Sequence, residues 1–159
     1  MKNNKALIIL LLSAALWILM LLSAAPKMIT HAAGDVTTEE ELEEQEYYDS
    51  LELLAICVEA EAGNQGLDGK RMVVDVILNR VDDPDWPGTI EEVISQPTHF
   101  TSYWDGGMDK VSVSDETFEA VRIELENRSW PGIYYFTAGQ YSEYGTPWKK
   151  VGDHYFSTK

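Results

Sequence analysis

The stretch LLAICVEAEAGNQGLDGKRMVVDVILNRV, residues 53 to 81, decides how the chain folds. Two apolar runs of helical length flank a break at Gly63 and Asn64. With about 100° of turn per residue, Leu54, Cys57 and Val58 lie about 20°, −40° and 60° from Glu61. Glu61 therefore stands in the middle of an apolar stripe. Glu59 falls about 160° away, beside Glu52, on the polar face, where an ordinary solvated carboxylate is expected. The second run, residues 69 to 81, is apolar nearly all round, with Met72, Val73, Val76 and Ile77 on one face. A central buried helix is expected there, capped by Asp68.

A carboxylate on an apolar face is costly to ionise. That property suits a general acid working near neutral pH, and glycoside cleavage uses one to protonate the leaving oxygen. Periodicity alone leaves two bland alternatives open. Glu61 could pair with a cation such as Arg80, or reach solvent from the helix end.

Around this segment, Asp49 with Glu52 fits a capping box for the first helix, and Thr89 with Glu92 for a short helix over 90 to 95. Pro97 ends the latter. Residues 98 to 110 show no period and are expected to be a loop. Ser114 can cap a further helix with Phe118, Val121 and Leu125 as its core stripe. The aromatic runs IYYFT, from 133, and DHYFS, from 153, are of strand type, joined by a segment rich in Gly and Tyr. The pattern is α+β, mostly helical, with a small antiparallel sheet at the C-terminal end.

At the other end, Lys2 and Lys5 precede an apolar run from Ala6 to Ala25. Residues 1 to 33 are expected to be a signal peptide or an N-terminal membrane anchor, with small-residue cleavage motifs at Ser23-Ala24-Ala25 and Thr30-His31-Ala32. Both options export the rest to the cell envelope or beyond. Residues 34 to 50 hold eight acids and no Lys or Arg, the composition of a solvated linker or frayed helix. That leaves residues 51 to 159 as the folded domain, with a net charge of −10 within a chain total of −15. Such a charge argues against nucleic-acid binding. The one cysteine, Cys57, excludes an intrachain disulfide and a cysteine zinc site. His99 and His154 lack zinc-motif spacing, so no metal and no cofactor is expected.

The run VEAEAGNQGLDGKRMVVDVILNRV, residues 58 to 81, resembles the core of the SleB/CwlJ family of bacterial cell-wall hydrolases. Gly69 and the Leu78-Asn79-Arg80-Val81 ending set the register and give Glu61 the place of the family's first glutamate. WPGTIEEVISQPTHF at 86 to 100, YYF at 134 to 136 and VGDHYF at 151 to 156 resemble later family segments in order. Two departures stand out: Gly63-Asn64-Gln65 replaces an Arg-Gly-Glu, and Asp153 replaces an Asn before His154.

The resemblance implies a lysozyme- or lytic-transglycosylase-like fold and cleavage between N-acetylmuramic acid and N-acetylglucosamine in peptidoglycan. It gives Glu61 the single acid/base role. Candidate substrate contacts are Asn79, Gln96, Phe100, Tyr135, Phe136 and His154. Each also has a structural reading as a cap, an interhelix bond or packing. The expected partner is the peptidoglycan glycan strand, bound by a monomer that meets the membrane only through its N-terminal segment. Two other activities are compatible with the residues: an N-acetylmuramoyl-L-alanine amidase, and a wall-binding module without catalysis.

Overall fold

The computed structural model describes residues 38 to 159. The export segment, its cleavage motifs and His31 lie outside the described residues. Among the described residues no helix is long and apolar enough to cross a membrane.

The helices are α1 (Glu39–Ala62), α2 (Leu67–Asp82), α3 (Ile90–Ile94), α4 (Thr101–Trp104) and α5 (Asp115–Glu126), with a 3-10 turn at Met108–Lys110 before α5. Strands β1 (Ile133–Ala138), β2 (Thr146–Val151) and β3 (His154–Thr158) close the chain as an antiparallel sheet in the order β1-β3-β2. The mostly helical α+β class expected from the pattern is the observed one.

Helix α2 is the centre. Met72 to Arg80 are all buried, and the helix packs against α1, α3, α5 and β1. Around it gather Leu54, Val58, Ile94, Phe100, Ile133 and Phe156, none more than 2% exposed. Burial of each such side chain stabilises the fold by about 1.5–3 kcal/mol. The polar residues of α2 hold the turn that enters β1. Asp75 Oδ2 accepts from Trp130 N at 2.7 Å, and Asn79 Nδ2 donates to the carbonyls of Trp130 and Ile133, both at 2.8 Å. Arg80 donates to the Tyr134 carbonyl through Nε at 2.9 Å and Nη2 at 2.6 Å.

Several local expectations are corrected. Helix α1 starts at Glu39, capped by a box of Thr38 and Glu41, and not near residue 50. The acidic run from residue 39 is helix because glutamate is a good helix former, and three acids in the first turn favour the helix dipole. Asp49 sits inside the helix and accepts from Gln45 at 2.7 Å. Asp68 does not cap α2, whose N-cap is Gly66; it lies in the first turn, 3.3 Å from Arg71. Phe118 is 53% exposed, and the buried face of α5 is Thr117, Ala120, Val121 and Glu124. The expected loop after Pro97 contains α4 and the 3-10 turn, and the Gly- and Tyr-rich connection contains β2. The caps at Thr89 and Ser114 are as expected.

One contact joins the end of the first helical pair to the sheet. Gln65 is buried, and its Oε1 accepts from Asp153 N at 2.9 Å. Its Nε2 donates to Asn64 Oδ1 at 2.7 Å and Asp153 Oδ2 at 3.4 Å. Gly152 makes the β2–β3 turn at φ +56°, and a Cβ there would lie 2.0 Å from Gln65 Oε1. Both the backbone conformation and the space demand glycine. Gly152→Ala should destabilise the fold by more than about 1 kcal/mol, read from denaturant midpoints. Gln65→Ala in the same chain should recover part of that loss, because it removes the clash but not the strained φ. Simple additivity of the two losses would contradict this contact.

Asp75 supplies a pH dependence. Burial, opposed by the Trp130 N–H and reinforced by the neighbouring Glu124 carboxylate, pushes its carboxyl up to about 7. The folded state thus holds a proton that the unfolded state has lost between about pH 4 and pH 7. This contribution to stability is present below that window and is lost as pH rises through it. Asp75→Asn mimics the protonated form and keeps an acceptor for Trp130 N. The variant should lose less stability than the parent between about pH 5 and about pH 8 in denaturant titrations. Parallel slopes for the two proteins would refute the assignment.

Candidate active site

Glu61 sits one residue before the end of α1, half-buried, with Leu54, Cys57 and Val58 fully buried on its stripe. Its Oε1 accepts from Ser102 Oγ at 2.5 Å. No other hydrogen bond to its carboxylate occurs among the described residues, which leave Oε2 unengaged. Arg80, the alternative ion-pair partner, is turned the other way. Its guanidinium lies 4.3 Å from the Trp86 ring and donates to Tyr134. Behind Glu61, burial first and the Glu61 charge second push the Cys57 thiol well up, which makes it an inert apolar thiol.

Ser102 reaches Glu61 because Phe100 anchors the start of α4. Phe100 is fully buried, its ring 6.1 Å from that of Phe136. It is therefore a packing residue that places Ser102, and the expectation of a substrate contact is corrected. Asn79, 5% exposed, also has a packing role. Both its N–H groups are committed to backbone carbonyls, and stranding a buried carbonyl costs about 1–3 kcal/mol.

The remaining candidates fall into two groups. Phe136, half-buried, lies 5.2 Å from the His154 ring and 6.2 Å from Phe156. His154 is only 6% exposed, its Nδ1 unpartnered among the described residues. Burial, opposed by Asp153, holds its imidazole below the ordinary value, so it is neutral at neutral pH. Tyr135 belongs to a separate aromatic row, 6.1 Å from Trp86 and 6.2 Å from Tyr144. Gln96 joins that row through His99, whose Nδ1 is 3.0 Å from Gln96 Oε1. His99 and His154 thus sit in different settings, and no metal-ligating group of three forms among the described residues.

Sequence reasoning missed two functions. Glu59 is not a solvated surface acid; its side chain is 13% exposed. Its Oε2 accepts from Ser114 N at 3.1 Å, Ser114 Oγ at 2.9 Å and Thr117 Oγ1, with Lys70 Nζ 4.0 Å away. Burial raises its carboxyl, but the Thr117 and Ser114 hydrogen bonds and the Lys70 charge outweigh that and hold it below the usual range. Gln65, four residues beyond Glu61, fixes the turn that leads into His154, and no helical wheel could show a contact 88 residues away. A cavity of about 430 Å³ opens beside it, lined by Gln65 to Gly69, Val151 and Gly152. A second hollow of about 470 Å³, lined by Pro97, Thr98, Thr101, Trp104 and Asp105, flanks α4. Glu61 lines neither.

Residues 64–157 match the family model described as Cell Wall Hydrolase. That match starts three residues after Glu61. A spore cortex-lytic enzyme of Bacillus subtilis is 32% identical over 114 residues, 68% of this chain and 37% of that protein. One of Halalkalibacterium halodurans is 30% identical over 116 residues, 68% of this chain and 34% of that protein. The chain thus spans about a third of the length of these relatives. The fold is similar to the catalytic domain of the Bacillus cereus SleB protein, with TM-score 0.61 at 25% identity over 70% of this chain and 91% of that one. It is also similar to the catalytic domain of the germination-specific lytic transglycosylase SleB from Bacillus anthracis, with TM-score 0.60 at 21% identity over 79% of this chain and 100% of that one. With the family model covering more than half of its length, this chain belongs to the cell wall hydrolase family.

Proposed function

We propose that the chain cuts peptidoglycan glycan strands between N-acetylmuramic acid and N-acetylglucosamine as a lytic transglycosylase, with Glu61 as the only acid/base. One observation carries this reading: the Glu61 carboxylate is held by Ser102 through one oxygen, and the other is unengaged among the described residues. In the protonated form, Glu61 gives its proton to the bridging oxygen as the muramic C1–O bond breaks. The resulting carboxylate takes the proton of the muramic C6 hydroxyl, whose oxygen attacks C1 and closes a 1,6-anhydro ring. The proton count balances on one residue and no water is consumed, unlike schemes with two carboxylates. The spore cortex-lytic relatives support a wall substrate and a location in the cell envelope or outside the cell.

Glu61→Gln keeps the size of the side chain and can neither give nor take the proton. Activity on purified wall, measured as anhydro-sugar ends by mass spectrometry, should fall at least about 100-fold with the fold intact. Glu59→Gln should do the reverse. It weakens the bonds from Ser114 and Thr117 and lowers stability by about 1–3 kcal/mol, while the folded fraction keeps most of its turnover. If turnover collapses in the Glu59 variant and survives in the Glu61 variant, the assignment is wrong by two residues.

Release of anhydro ends should also continue in the presence of a strong chelator. Loss of cleavage restored by zinc would replace the transglycosylase with a metal-dependent scheme.

A further inference from the structure

Strand β2 forms one edge of the sheet, and Thr146 to Lys150 are all exposed. Proline and lysine on an edge protect it from pairing with other chains, and Pro147, Lys149 and Lys150 serve that end. They do not explain Trp148, which is 45% exposed on the same strand and works against such protection. The lysines also differ from most cations of the domain, sharing the lack of a carboxylate partner among the described residues only with Arg80 and Lys110. Lys70, Arg71, Arg122, Arg128 and Lys159 all lie within 4.0 Å of a carboxylate. Lys149 and Lys150 have no such partner among the described residues.

Their ammonium groups lie over rings instead. Lys149 Nζ is 5.9 Å from the Trp148 ring centroid, and Lys150 Nζ is 4.9 Å from that of Tyr155. Tyr155 in turn meets Tyr141 edge to face at 5.0 Å. Lys150 and Tyr155 are cross-strand partners, so ring and charge share one face of the sheet. Lys149 is opposite Phe156 in the same ladder, so a domain at −10 sends two cations without a carboxylate partner to the two faces of one exposed edge, each beside an aromatic ring. Rings offer flat apolar surface to sugar faces, and the ammonium groups offer attraction to carboxylates.

We propose that this β2 edge, with Tyr155 and Tyr141, is a docking surface for the acidic glycan of the wall, which lies along the edge so that the ammonium groups on its two faces meet stem-peptide carboxylates and the rings meet sugar faces. It holds the enzyme on insoluble polymer. The proposal rests on the wall-cleaving reading for its choice of partner.

The test is co-sedimentation of the full chain, in a Glu61→Gln background, with insoluble peptidoglycan. Lys149→Gln/Lys150→Gln should weaken binding about fivefold at low ionic strength, and much less at high salt. Trp148→Ala should weaken it at both. Lys110→Glu makes the same change in net charge at an exposed lysine elsewhere and should leave binding as it was. Equal losses for the Lys110 variant and the double variant would reduce the effect to overall charge and overturn the docking surface, as would unchanged binding in the β2 variants. Amidating the stem carboxylates should abolish the lysine effect, whereas stripping phosphate polymers should not; the opposite pattern would overturn the carboxylate assignment. In the Glu61 parent, the β2 variants should keep turnover on short soluble fragments. A parent that binds wall through β2 and cleaves neither wall nor fragments would sink the proposed activity and leave the docking surface standing.

Discussion

The sheet hangs on three side chains of one buried helix. Asp75, Asn79 and Arg80 bind the backbone of residues 130 to 134, the turn that leads α5 into β1. These bonds are buried or part-buried, and the ladder with β3 begins only at Ile133. Each group left unpaired there would cost about 1–3 kcal/mol, as much as burying a whole leucine contributes. A helix of purely apolar residues would make a denser core but could not receive the turn. With β1 fixed, β3 pairs to β1 and β2 to β3, so the whole sheet inherits its position from α2.

The same helix organises the site indirectly. Among the described residues Arg80 has no carboxylate partner; it stacks on Trp86 and lies 5.5 Å from the Phe100 ring. Phe100 fixes the entry to α4, and α4 delivers Ser102 to Glu61. On the other side, Gln65 ties the break after α1 to the β2–β3 turn. Glu61 therefore stands between two segments that are each anchored by buried contacts, while its own carboxylate is engaged at one oxygen only. Rigid surroundings around a half-free acid are what proton transfer to a bound substrate requires.

What the sequence disclosed follows from how local the cause is. The buried α2 was legible because an apolar run of that length has few other homes. Thr89 and Ser114 were legible because a cap is a contact over three residues. Glu61 was legible as an anomaly, a carboxylate on the wrong stripe. The start of α1 was hidden because its acids look alike whether they are solvated coil or solvated helix. Strand β2 was hidden because Pro147, Lys149 and Lys150 carry no alternation; the strand exists through its ladder with β3. The packing roles of Asn79 and Phe100 were hidden because their partners lie far along the chain. The contacts of Glu59 with Ser114 and of Gln65 with Asp153 were beyond any periodicity argument for the same reason.

Glu59 and Glu61 are two residues apart on one helix and serve opposite ends. Glu59 is gripped by the cap of α5, with Ser114 and Thr117 closing on one of its oxygens. Rolling the last turn of α1 about the helix axis would swing Glu61 away from Ser102. The grip on Glu59 acts as a key in a slot that forbids this roll. The azimuth of the acid is thereby set from the far side of the helix, by residues that touch no substrate. A glutamine at 59 would still offer an oxygen to this cap and keep the orientation, whereas losing both hydroxyls, of Ser114 and Thr117, would release it.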